Sequence, residues 1–79
     1  MHYETREWTD QLPPPPRDVY ELIKEAGKVG LWLSWARYAY HARKQGGRYT
    51  VTLPHSTRAV YASDDLDAVR AFLRSRMAA

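Results

Sequence analysis

The stretch LWLSWARYAYHARKQGG, Leu31–Gly47, decides the fold, because it can be read as strand or helix and carries much of the chain's chemistry. It holds two of the three tryptophans, two of the six tyrosines, and Arg37, His41, Arg43 and Lys44. Read as one strand, one face is Leu31, Leu33, Trp35, Arg37, Ala39, His41 and Arg43; the other is Trp32, Ser34, Ala36, Tyr38, Tyr40 and Ala42. Neither parity separates core from solvent. Read at about 100° per residue, Ser34, Arg37, His41, Lys44 and Gln45 fall within an arc about 100° wide, and the other positions except Arg43 are apolar or aromatic. That periodicity predicts a helix over 31–45, with Leu31, Trp35 and Tyr38 buried and Arg37, His41 and Lys44 on the polar side. Arg43 and Lys44 complement the negative end of the helix dipole, and Gly46-Gly47 supplies a left-handed stop.

Toward the N-terminus, Val19, Leu22, Ile23 and Ala26 recur at helical spacing and predict a helix over 18–27. Asp18 and Glu21 have capping-box spacing at its start, and Gly27 and Gly30 close it. Residues 1–17 read as an arm ending in LPPPPR. Four consecutive prolines, Pro13 to Pro16, fix φ and remove four backbone donors, so an extended polyproline II spacer is expected there, pinned to the core by Trp8 and Leu12.

Toward the C-terminus, RYTVTL (Arg48 to Leu53) alternates and is rich in β-branched residues, and RAVYA (Arg58 to Ala62) does so more briefly. PHST joins them as a hairpin connection. Tyr49, Val51 and Leu53 are expected to face the core, matched either by Val60 or by Ala59 and Tyr61. Ser63 is expected to cap a last helix with Asp64 and Asp65 in its first turn, Leu66, Val69, Phe72, Leu73 and Met77 as its buried stripe, and Arg70, Arg74 and Arg76 toward solvent. The expected fold class is therefore α+β in the order ααββα: two N-terminal helices, a β-hairpin and a C-terminal helix. It forms one small domain over 18–79 behind an N-terminal arm over 1–17.

A chain of 79 residues is near the size at which a single core forms unaided, since it buries only about 60% of its unfolded surface. The absence of cysteine excludes disulfides, thiol chemistry and thiolate zinc sites, and favours a reducing compartment. There is no apolar run of the 18 or so residues needed to span a membrane, and MHYETREWTD is unlike a signal peptide. The chain reads as a complete, monomeric, cytoplasmic protein, in the host cytoplasm if phage-encoded. Charge is unevenly placed: residues 1–27 carry a net −3 and residues 28–79 a net +6, a basic body suited to phosphates or an acidic protein surface.

His2, His41 and His55 lack metal-ligand spacing, Gly46-Gly47 is no phosphate loop, and Ser34, Ser56, Ser63 and Ser75 have no nucleophile's surroundings. The reading is of a non-enzymatic protein with no catalytic residue, cofactor or metal. A small, cysteine-free protein rich in Trp, Tyr and Arg and lacking catalytic groups is similar in kind to phage-encoded anti-CRISPR inhibitors of type I effector complexes. That resemblance implies a protein partner within a nucleic-acid-binding complex, such as a CRISPR effector subunit, kept from its target DNA. The contact it implies is Arg37, Tyr40, His41, Arg43, Lys44, Arg48 and Arg58, among which tyrosine and arginine are types that dominate interface hot spots.

The order of ELIKEAG, a helix containing ARYAYHARK, a hairpin and VYASDDLDAVRAFL resembles the MerR and excisionase winged helices. Tyr61 and Asp65-Leu66 match their closing segment. This alternative implies direct DNA contact by Ser34, Arg37, His41 and Lys44, with Arg48 and Arg58 on the wing. YHARKQGGRYTVTLPH, followed by a C-terminal helix, also resembles HicA-type toxin ribonucleases. These have a double-stranded-RNA-binding-like fold, and the likeness implies a catalytic His41 on a strand that the helical reading of 31–45 removes.

Overall fold

Leu31 and Leu33 are buried while Trp32 and Ser34, which alternate with them, are exposed, and the backbone follows that two-residue period. In the computed structural model, which describes residues 10–78, the segment expected to be one helix is a strand and then a short helix. The order is α1 (Asp18–Lys28), β1 (Trp32–Trp35), α2 (Ala39–Gln45), β2 (Tyr49–Thr52), β3 (Ala59–Ser63) and α3 (Leu66–Ala78). The expected α+β class stands, but ααββα is corrected to αβαββα. The cause is local: no Gly or Pro separates Trp35 from Ala39, so a 15-residue periodicity averages a strand onto a helix. The backbone of 32–35 gains a hydrogen-bonded ladder on β2 that outweighs its helical pattern.

The three strands form an antiparallel sheet in sequence order, β1-β2-β3. One cross-strand row is Leu33, Val51 and Tyr61; the next on the same face is Trp35, Tyr49 and Ser63. The open register of the second strand is thereby settled: Tyr61 pairs with Val51, and a bulge between Val51 and Thr52 lets Thr52 pair with Ala59, leaving Val60 as the extra residue. Helices α1 and α3 cover this inner face. Val19, Leu22 and Ala26 of α1 join Leu31 just before β1, Leu33, Tyr49 and Val51 of the sheet, and Val69 and Leu73 of α3, in one buried cluster. Each fully buried aliphatic side chain stabilises the fold by about 1.5–3 kcal/mol. Tyr61 stacks on Phe72 at 4.6 Å, and Tyr20 meets Trp35 edge-on at 5.8 Å.

Several local expectations are corrected. Arg17, not Asp18, occupies the N-cap of α1, and no side-chain capping bond forms; the Asp18 carboxylate instead accepts a hydrogen bond from Arg70 of α3 at 3.2 Å. Ser63 ends β3 because it pairs with Tyr49, so α3 begins later and Asp65 caps it, accepting the Asp67 amide at 3.0 Å. Leu53, expected to face the core, lies beyond the ladder at 46% exposure, and Met77 in the last turn of α3 is 50% exposed. Helices α1 and α2 end alike. After α1 the Leu31 amide reaches the Ala26 carbonyl at 2.9 Å, after α2 the Gly47 amide reaches the Ala42 carbonyl at 2.9 Å, and in each the residue just before is a left-handed glycine, Gly30 or Gly46.

The described part of the arm lies along the β1–α2 connection. The Leu12 amide donates to the Arg37 carbonyl at 2.9 Å and the Ala39 amide to the Asp10 carbonyl at 3.0 Å, flanking an isolated antiparallel bridge between Gln11 and Tyr38. Leu12 is half-buried, and the residues from there to Pro16 belong to no helix or strand. The anchoring expected of Trp8 lies outside the described residues.

Candidate basic and aromatic face on α2

Between Trp35 and Tyr49 the chain leaves the sheet, makes α2 and returns. Ala36 and Arg48 close the base of that excursion: the Ala36 amide donates to the Arg48 carbonyl at 2.8 Å, and Arg48 Nε donates to the Ala36 carbonyl at 3.2 Å. The Gln45 amide nitrogen bridges the return, donating to the carbonyls of Gly47 (2.9 Å) and Arg48 (3.1 Å). A Cβ on Gly47 would lie 2.6–2.8 Å from backbone atoms of Ser63, so only glycine lets the connection pass so close to β3. The Asp64 carboxylate then accepts the Arg48 amide at 2.8 Å. This frame fixes where α2 sits.

Only Ala42 of α2 is buried. His41, Arg43 and Lys44 are exposed and Tyr40 is half-buried. The guanidinium carbon of Arg43 lies 5.6 Å, and the Lys44 ammonium 5.8 Å, from the centre of the Tyr40 ring, within cation–π range. The His41 ring lies edge-on to Tyr38 and Tyr40, at 6.2 and 5.5 Å. Beside α2 an open groove of about 660 Å³ is lined by Arg43, Arg48 and Asp64 together with Leu12, Ala39 and Ala42. A smaller groove of about 330 Å³ separates Arg37 and Arg48 from Pro14, Pro15 and Trp35.

Of the residues singled out in the sequence, Tyr40, His41, Arg43 and Lys44 share this short helix, while Arg37 and Arg48 stand at its two flanks. Arg58 is elsewhere. It precedes Ala59, which pairs with Thr52 and through it with Trp32, at the end of the sheet opposite the Trp35–Tyr49–Ser63 row that leads to α2. Sequence reasoning missed Gly47 and Asp64, which position Arg48; a glycine pair after a helix signals a stop, but nothing in the pattern signals contact with β3. No acidic residue occurs from Ala26 to Ser63, whereas Lys28, Arg37, Arg43, Lys44, Arg48 and Arg58 do. The sheet and α2 thus come wholly from acid-free chain.

Among the described residues, no three His, Asp or Glu side chains are grouped as a metal site, and no helix is long and apolar enough to cross a membrane. Compared with protein-family models, curated proteins and solved structures, the chain matches none.

Proposed function

We propose that the protein is a non-enzymatic binding module whose α2 face docks on a protein component of nucleic-acid machinery. It acts in the manner of a small phage-encoded inhibitor of a type I CRISPR effector complex, preventing target DNA binding. The observation that carries this reading is α2 itself: a seven-residue helix, hydrogen-bonded to neighbouring segments at both ends, on which Arg43 and Lys44 lie within cation–π range of Tyr40, with His41 beside that ring and Arg37 and Arg48 flanking the helix. A partly buried tyrosine beside an arginine has the composition of an interface hot spot, and the positive charge around it suits a surface that otherwise holds phosphates.

The geometry supports the winged-helix alternative less. A recognition helix in the major groove follows a partner helix across a tight turn, whereas α2 follows a strand and runs only about 10 Å. The test is to titrate the protein into a type I effector complex and follow capture of its target duplex by gel shift. The expected result is loss of the duplex-bound band, no shift of free duplex by the protein alone, and inhibition at least about tenfold weaker for the Arg37→Glu/Lys44→Glu variant. Tight, steeply salt-dependent binding of free duplex would overturn the reading, as would undiminished inhibition by the variant.

One observation favours a second reading, the HicA-type ribonuclease. A strand does occur within 31–45, as β1, and a sheet with helices before and after it accords with the double-stranded-RNA-binding-like fold of that resemblance, although β1 ends at Trp35 and does not carry His41. His41 stands after that strand, on α2. RNA cleavage by the protein that is lost in His41→Ala would establish this reading; intact RNA, or equal cleavage by the variant, would remove it.

A further inference from the structure

The outer face of the sheet, opposite α1 and α3, has a second aromatic site at the end remote from α2. Trp32 lies on it at 57% exposure. The neighbouring β2–β3 connection turns at Leu53–Ser56, where the Ser56 amide donates to the Leu53 carbonyl at 3.2 Å. Pro54 takes the second position of that turn and His55 the third, with φ +65, a conformation for which glycine is the favoured residue. His55 is the only non-glycine residue with positive φ among the described residues. Residues held in such conformations cluster at functional sites. The imidazole is held 6.4 Å from the Trp32 indole with the planes 53° apart, and exposed Arg58 follows, its amide donating to Ser56 Oγ at 3.0 Å.

The rest of this face is small and hydroxylic: Ser34 and Thr50, hydrogen-bonded to each other at 3.0 Å, with Thr52 and Ala62 beside them. No strand or turn forming it contains a carboxylate, because all lie in the acid-free span. The carboxylates of α1 and α3 belong to helices on the other face. An exposed indole with an imidazole beside it and the exposed Arg58 in the adjoining connection, on a sheet face whose strands carry no carboxylate, has the chemistry to meet an unpaired base and its phosphate. Duplexes hide base faces, so a stacking indole selects single strands.

We propose that this end of the outer sheet face binds single-stranded nucleic acid, with one base stacked on Trp32 and the adjoining backbone held by His55 and Arg58. The site is separate from α2 and does not depend on the function proposed for it.

The test is fluorescence anisotropy of a labelled oligothymidylate and a labelled oligouridylate at about 50 mM salt, against a duplex of equal length. One or both single strands should bind, and the duplex more weakly. Trp32→Ala should lower affinity roughly tenfold or more, with an unchanged circular dichroism spectrum. Arg58→Ala should weaken binding and flatten the salt dependence, while Arg74→Ala, the same charge loss on α3, should do neither. His55→Gly is the sharpest variant: glycine suits the backbone there, so the melting temperature should hold or rise while affinity falls. The proposal is overturned if neither single strand binds at low salt or the duplex binds as tightly. It is equally overturned if Trp32→Ala and His55→Gly retain full affinity, or if Arg74→Ala weakens binding as much as Arg58→Ala.

Discussion

The two faces of the sheet are made from alternate residues of the same three strands and differ in chemistry. The inner rows, Leu33-Val51-Tyr61 and Trp35-Tyr49, are packed beneath α1 and α3. The outer row is Ser34, Thr50 and Ala62, with Trp32 and Thr52 beyond it. Apolar burial is nearly all on the inner side, so the outer side and the α2 excursion can carry hydroxyls, cations and an exposed tryptophan at little cost to folding. In a chain this small, apolar burial is divided from exposed aromatic and hydroxyl groups by parity along the strands.

If that division holds, the largest loss should come from the inner side. Leu73→Ala empties a fully buried position and should cost about 2–5 kcal/mol, read as a lower urea midpoint. A loss below about 1 kcal/mol would mean the inner cluster is not what holds the fold. Gly47→Ala probes the seam where the α2 excursion crosses β3; its methyl would meet the Ser63 backbone, and about 1–3 kcal/mol should be lost in thermal melts. No change there would show that the return from α2 is looser than the contact distances require.

The smallest effect belongs to the outer face. Thr50 is 6% exposed and its hydroxyl is paired with Ser34. Ser34→Ala leaves that hydroxyl unpartnered and should cost about 1 kcal/mol by chemical denaturation. A cost equal to that of Leu73→Ala would erase the distinction between the faces.

Much of the architecture was legible in the sequence because its signals are local. Val19, Leu22 and Ala26 marked α1, the β-branched run after Gly47 marked β2, and Val69 and Leu73 marked the buried side of α3. Strand β1 was not legible. Four strand residues followed within four positions by a helix offer no window in which either period dominates, and the ladder that decides the matter comes from β2, far along the chain. The candidate site was legible in the same measure: the cations of α2 lie close in sequence and stay close in space. Arg58 parted from them because strand direction, which periodicity does not encode, carried it to the far end of the sheet.

The consecutive order of the strands also has a kinetic meaning. Each strand pairs with its neighbour in sequence, so the sheet can assemble by closing only the β2–β3 turn and the α2 excursion, and such local pairing makes for rapid folding. The long closure is the last layer, α1 against α3, where Arg70 reaches Asp18 from 52 residues away. A nascent chain can therefore pair its three strands before its C-terminal helix arrives, while the inner face stays open until that helix closes it.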